Sequence, residues 1–322
     1  MKINNHGLLV FWNKKSSNLG DFVQTLAARQ FLPSVNAYCD REDLKGYSGK
    51  TVNLIMNGWF MYNTHNFPPS DFINPLYTSF HINSDVYEVM TSPVCLDHFK
   101  KYEPIGCRDI ATRNLLLSKN IEAYFSGCLT LTLGKTYKRD YITDDIYLVD
   151  PLLNHYHPTD LLLNPRKLAG CLLRKRFYQI RNRKKLMTES FSKDILRNAK
   201  TLTQIATVNS IEDGLSVTDQ YLKKLCHAKL VITSRIHCAL PCLAMGTPVI
   251  FLNGEVDNNT YYTCRFDGLL ELLNVINIDK KGHITRNFES KGKISSHNIV
   301  PNKSLHLPLV NELMRVCENI DN

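Results

Sequence analysis

Short apolar runs rich in β-branched residues recur along the chain, and a polar turn followed by helically spaced apolar residues comes after most of them. Residues 7–12, 51–56, 104–107, 121–125, 146–149, 202–208, 230–232 and 248–252 read as strands of the buried, parallel kind. After the first, the polar stretch NKKSSNLG leads to Asp21, a natural helix cap, and Phe22, Leu26 and Ala27 then carry a helical period. Asp109 opens a second helix over 109–118. In TSRIHCALPCLAMGTPVIFL, residues 233–252, Thr233 and Ser234 are cap candidates, Cys238, Leu240, Leu243 and Ala244 give helical spacing, and Gly246 stops the helix. That unit is strand-turn-helix-strand, with Arg235 and His237 in the first helical turn. The alternation predicts an α/β protein of two Rossmann-like domains facing a cleft. Residues 1–150 form the first domain and 151–275 the second, the boundary falling in the Pro-containing segment 150–165. Residues 276–322 form a C-terminal segment whose path the pattern does not set, with little regularity over 276–308.

Composition agrees with this division, because 322 residues exceed what one hydrophobic core usually fills. With 43% hydrophobic and 21% charged residues the balance is that of an ordinary globular protein. No apolar run is long enough to cross a bilayer and no charged-then-apolar leader opens the chain, so the cytoplasm is the expected location. Ten cysteines without a C-x-x-C pair read as small core thiols, and His237, Cys238 and Cys242 lack the paired spacing of metal ligands. The net charge of +9 is concentrated: residues 166–185 hold nine Lys or Arg and no acid. Drawn as one helix, they place Leu172, Leu173, Phe177 and Ile180 on one side and Arg174, Arg181 and Lys185 on the other, although Arg176 and Lys184 blur the apolar face. Such a helix either lies on an anionic membrane surface or packs, solvated, on its own domain. Nucleic acid is not an expected partner, since no recognisable motif interleaves aromatics with the basic run.

Three polar clusters fall where predicted strands end: Asn18, Gly20 and Asp21 in NLGD, Arg108 and Asp109 in GCRD, and Ser234, Arg235 and His237 in the third. Strand ends of this type are where open α/β sheets bind ligands, and a helix N-terminus there offers free N–H groups to an anion. Taken singly, Asp21 and Asp109 are ordinary helix caps, Arg108 a surface residue and His237 a core imidazole. Their shared placement points to one anion-binding cleft. Trp59, beyond the predicted strand end in LIMNG, either offers its apolar face to a ligand or anchors a loop. Arg265, opening a helix in TCRFDGLLELL, either reaches the cleft or lies on the surface.

The segments NLGDFVQTLA, PIGCRDIATRNLL with NIEAYFSGCLTLTL, and YLKKLCHAKLVITSRIHCALPCLAMGTPVIFLN resemble the successive signatures of the polysaccharide pyruvyl transferases, over roughly residues 7–275. The last block is the most specific, because strand, Ser-Arg-x-His turn, helix and Gly-x-Pro strand occur without a gap. The resemblance implies a GT-B-like architecture and transfer of the pyruvyl unit of phosphoenolpyruvate onto sugar hydroxyls as a ketal. The acceptor would be a cell-surface polysaccharide or its lipid-linked precursor. It also implies that Arg235 and Arg108 hold the donor, whose phosphate and carboxylate suit the planar guanidinium fork. His237 would act as acid or phosphate donor and Asp21 as base, with Ser234, Asn18, Gly20, Trp59 and Arg265 as further substrate contacts. No metal or cofactor is expected, phosphoenolpyruvate being a substrate. Residues 150–200 match least. Two other readings fit the same plan: a glycosyltransferase using a sugar nucleotide, and a non-catalytic, membrane-associated glycan-assembly protein.

Overall fold

A computed structural model describes residues 5–12, 17–153, 155–254 and 264–321. The chain opens on strand β1 (His6–Val10), and β2 (Ser17–Asn18) leads into helix α1 (Leu19–Arg29). Strands β3 (Ala37–Asp40), β4 (Val52–Phe60) and β5 (Ile73–Ile82) follow, then helices α2 (Tyr87–Met90) and α3 (Pro93–Lys101). Strand β6 (Ile105–Cys107), helix α4 (Ile110–Leu117) and strand β7 (Ala123–Phe125) complete a six-stranded parallel sheet in the order β3-β1-β4-β5-β6-β7. The second series runs through β8 (Ile146–Val149), helices α5 (Pro158–Leu163), α6 (Pro165–Leu173), α7 (Tyr178–Ser190) and α8 (Lys193–Asn198), and strands β9 (Lys200–Leu202) and β10 (Ile205–Ala206). It continues with α9 (Ile211–His227), β11 (Leu230–Thr233), α10 (Ile236–Met245), β12 (Val249–Gly254), β13 (Asn274–Ile278) and β14 (Ile284–Arg286), and ends on α11 (Leu307–Glu318). The second six-stranded sheet has the order β14-β13-β12-β11-β8-β9 and is parallel except at β14. The molecule is thus mixed α/β with two parallel-dominated, Rossmann-like sheets.

The central strands are apolar on both faces because helices cover both, which is why they read as continuous hydrophobic runs. Between the sheets, Val23 and Ala27 of α1, Leu222 of α9 and Leu240 and Leu243 of α10 pack into one cluster with Val149 and Phe251. The C-terminal helix joins it through Leu313 and Cys317, so the chain's end returns to the first half. Gly134, on a 3-10 segment facing α10, permits the closest approach: a Cβ there would meet the Ala244 carbonyl oxygen at 2.3 Å. Strands β2 and β10 pair antiparallel, Asn18 opposite Ile205, and tie the start of α1 to the second half.

Strand order reverses beside β1 in the first sheet and beside β8 in the second, and these reversals mark the crevices where such sheets take ligands. Several sequence expectations need correction. The basic segment is two helices, because α6 ends in a Schellman turn: Lys175 is left-handed (φ 52°), and the Arg176 N–H donates to the Cys171 carbonyl at 2.9 Å. Residues 202–208 split into β9 and β10. Residues 276–308 contain the end of β13 and all of β14, and Arg265 lies in a single 3-10 turn (Cys264–Phe266). Among the described residues no helix is long and apolar enough to cross a membrane.

Candidate active site

The carboxyl end of the first sheet gathers a buried charge cluster. Arg108 follows β6 directly, its N–H donating to the Phe80 carbonyl at 2.9 Å. It is 1% exposed, yet its three guanidinium nitrogens have no hydrogen-bond partner among the described residues. The nearest charge recorded is the Asp109 carboxylate, 3.7 Å from Nε. Asp109 is committed elsewhere: Oδ1 caps α4 by accepting the Thr112 N–H at 2.9 Å, and Oδ2 lies 2.5 Å from His81 Nδ1. Burial alone would raise the Asp109 carboxyl, but the His81 ring, Arg108 and the Thr112 N–H together hold it below its usual range. Burial and Arg108 push His81 down to about 4, so Nδ1 carries the proton that Asp109 accepts. That leaves Nε2, buried and without a partner among the described residues, with its lone pair free.

From the second half, the first turn of α10 brings His237 into the same field. The turn is irregular (φ −82°, ψ 15°), and Nε2 again is buried with no partner among the described residues. Burial, then Arg108, Arg265, Arg41 and His81, hold this imidazole well below its ordinary range. His237 is therefore neutral in the free protein at neutral pH. Arg265, whose Nε likewise has no partner among the described residues, acts electrostatically on Arg108, His81 and His237. Guanidinium nitrogens buried without hydrogen-bond partners among the described residues, beside a carboxylate already committed to His81 and Thr112, are what an anionic ligand requires.

The remaining sequence candidates have identifiable tasks. Asp21 lies in the first turn of α1 and does not cap it; its Oδ1 accepts from Arg41 Nη1 at 3.1 Å. Arg41 in turn stacks over Phe11 at 4.1 Å and Trp59 at 5.4 Å. Trp59 is inside β4 rather than beyond it, because a register shift at Met56 and Gly58 (φ 106°) lets the strand continue to pair with β5, Trp59 opposite His81. The cap of α1 is Asn18, whose Oδ1 accepts from the Gly20 N–H at 3.1 Å and from Gln204 Nε2 at 2.9 Å. A Cβ on Gly20 would meet Gln204 Nε2 at 2.3 Å and His237 Cβ at 3.2 Å, so glycine there lets α1 and α10 approach. Ser234 Oγ donates to the Leu252 carbonyl at 2.6 Å and accepts the Leu152 N–H at 2.7 Å. Arg235 caps α10 by position, and its Nε donates to Asp150 Oδ2 at 2.8 Å; the same oxygen accepts the Gln204 N–H at 3.0 Å. The structure therefore puts Arg108, Arg265 and His237 within electrostatic reach of one another, and gives Arg235, Ser234 and Asn18 partners within the protein.

The model of the polysaccharide pyruvyl transferase family matches residues 18–255. The chain belongs to that family. Among solved structures, a functionally uncharacterised protein from Klebsiella pneumoniae subsp. pneumoniae NTUH-K2044 is 14% identical over 82% of this chain and 87% of that one, with a TM-score of 0.41. No curated protein matches.

In this pyruvyl transferase family member, His81 is the site residue that sequence reasoning missed, together with its partner role for Asp109. Its low pKa has a measurable consequence. Burial with Lys101 lowers His98 to about 4, and burial with Arg183 does the same for His155. Unfolded histidines titrate near pH ~6.5, so between about pH 6.5 and 4 the unfolded chain binds more protons than the folded one. Stability from these rings is complete above that window and is lost as pH falls through it. Thermal melts of the free protein should drop steadily from neutral pH to about pH 5, His81 alone accounting for about 2 kcal/mol there. His81→Gln should flatten part of that slope; an unchanged slope would remove His81 from the account.

Proposed function

We propose that this transferase moves the pyruvyl unit of phosphoenolpyruvate onto a pair of hydroxyls of a polysaccharide sugar, forming a ketal. The observation that carries the reading is the buried Arg108, its guanidinium without a hydrogen-bond partner among the described residues, with Arg265 and the His81 and His237 rings in its field. Phosphoenolpyruvate presents phosphate and carboxylate on one small enol, and the guanidinium fork fits either group. A proton is added to the methylene carbon, which leaves cationic character on its neighbour. The first sugar hydroxyl bonds to that neighbour and gives up its proton, the bond to phosphate breaks, and the second hydroxyl closes the ketal. Of the two hydroxyl protons, one balances the proton on the new methyl and the other leaves with phosphate.

The incoming negative charge offsets the arginines that, after burial, depress the His81 imidazole. His81, backed by the Asp109 carboxylate, then carries the proton to carbon, as a histidine-carboxylate pair stabilises imidazolium. His237, held down by burial and then by Arg108, Arg265 and Arg41 and with no carboxylate recorded on its ring, stays neutral and accepts the hydroxyl proton. This moves the base from Asp21 to His237. The Phe11, Trp59 and Tyr62 rings beside Arg41 suit the apolar face of a sugar. We read the two sheets as two domains joined over 150–165, with their carboxyl edges framing a GT-B-like cleft.

The full chain incubated with phosphoenolpyruvate and a panel of glycans should release inorganic phosphate as one acceptor gains the mass of one pyruvyl unit. Nucleotide release from sugar nucleotides instead would make it a glycosyltransferase. Turnover of neither donor across the panel would count for an assembly role without catalysis.

A further inference from the structure

Helices α5 and α6 form a hairpin joined at Asn164, whose side chain caps α6 by accepting the Arg166 and Lys167 N–H groups. Leu161 and Cys171 are buried, and α5 packs chiefly on α6. The other large side chains face outward: Leu162 and Leu163 are 84% exposed and Leu173 is 85% exposed, with Leu172 and Phe177 nearby about half exposed. Leu162, Leu163, Leu172 and Leu173, left largely in water on one short hairpin, carry a solvation cost that contact with an apolar phase would recover. Arg166, Arg174, Lys175, Arg181 and Lys184 are exposed in the same stretch, against one acid in the hairpin's sequence, Asp160. Lys185 and Arg183 are tied down, donating to the Gly282 and Pro151 carbonyls.

We infer that the α5–α6 hairpin is a membrane-docking element that sinks its leucines into an anionic lipid surface, its arginines and lysines meeting the headgroups. The charge decides the occupant. A second copy would bring two such cationic faces together, whereas an anionic bilayer matches both the leucines and the cations. The hairpin leaves the second sheet just after β8, whose end holds Asp150 and, through it, Arg235. Docking would therefore set the site's own sheet edge near the lipid surface, which fits an acceptor carried on a lipid. Binding itself does not depend on the donor proposed above.

The test is sedimentation of the full chain with vesicles of phosphatidylcholine, with and without phosphatidylglycerol. Binding should be strong only to the mixed vesicles and should weaken at high salt. Replacing Arg174, Lys175 and Arg181 together by Gln should cost on the order of 100-fold in affinity. Leu163→Ser with Leu173→Ser should cost a similar factor, on the order of 100-fold. Both variants should melt like the parent and turn over a soluble glycan at the parent rate, so a fault in the catalytic reading would appear in the parent as well. Equal binding by either variant, or a parent that stays in the supernatant with anionic vesicles, would overturn the inference. So would a dimer in sedimentation velocity that the leucine changes disperse while vesicle binding is absent.

Discussion

Arg108→Met should make the free protein more stable and nearly inactive at once. A guanidinium that is 1% exposed, without a hydrogen-bond partner among the described residues and 3.7 Å from its nearest recorded carboxylate, has lost its hydration without full compensation. Burial correspondingly lowers its pKa, against the opposing pull of Asp109. Methionine is similarly long and flexible and asks for no partners. Asp109 keeps the His81 ring and the Thr112 N–H, so the change leaves no orphaned carboxylate. The expected gain is about 2 kcal/mol in the melting of the free protein. Turnover should fall by about 10³-fold in kcat/KM, since a charge-assisted, two-pronged contact to the donor is removed. Phosphoenolpyruvate or inorganic phosphate should raise the melting temperature of the parent and leave that of the variant unmoved. Arg108→Lys keeps the charge without the fork and should fall between the two. If Arg108→Met melts lower and loses activity only in proportion to its folded fraction, Arg108 is a structural residue and the anion site lies elsewhere.

A buried guanidinium of this kind is visible only in three dimensions, whereas its position after a strand was legible. Strands such as β8 and β11 read directly because both their faces are apolar. Strand β5 did not, and His81 was lost with it. Its sequence, INPLYTSFHI, sets Asn74, Thr78, Ser79 and His81 among apolar residues, which interrupts the apolar run; Thr78, Ser79 and His81 are buried all the same, whereas Asn74 is exposed. Asn74 donates to Asn53 at 2.8 Å, and the Ser79 N–H donates to Ser126 at 3.0 Å. The third cluster shows the converse. Arg235 and His237 are two residues apart, yet Asp150, 85 positions before Arg235, takes the arginine while the imidazole goes to the cluster around Arg108. The basic helix was misread because its break is made by Lys175 in a left-handed conformation, and residue type gives no warning of a terminator that is neither Gly nor Asn. Charge clustering, which needs no fold, survived that error.

His81→Gln and His237→Gln should each lower the maximal rate by roughly 10²-fold or more while the donor still binds. Glutamine keeps polarity and part of the size of the ring but neither delivers nor accepts the proton. The losses should not add in the double variant, because the two rings act on one transition state. Asp109→Asn probes the same relay from behind. An amide that turns its oxygen to the ring still accepts the Nδ1–H but no longer stabilises imidazolium, and one that turns its nitrogen drives the proton to Nε2, the wrong tautomer. Either way the rate should fall with phosphoenolpyruvate affinity retained. The pH profile separates the roles. The parent should show a bell in kcat, the His237 variant should lose the acidic limb set by the base, and the His81 variant the alkaline limb set by the acid. Melts run alongside exclude a folding effect, since a purely structural histidine would move the melting temperature and leave the shape of the profile unchanged. A His237→Gln enzyme that melts normally and turns over at the parent rate would take the proton chemistry away from α10, and the same result for His81→Gln would take it away from β5.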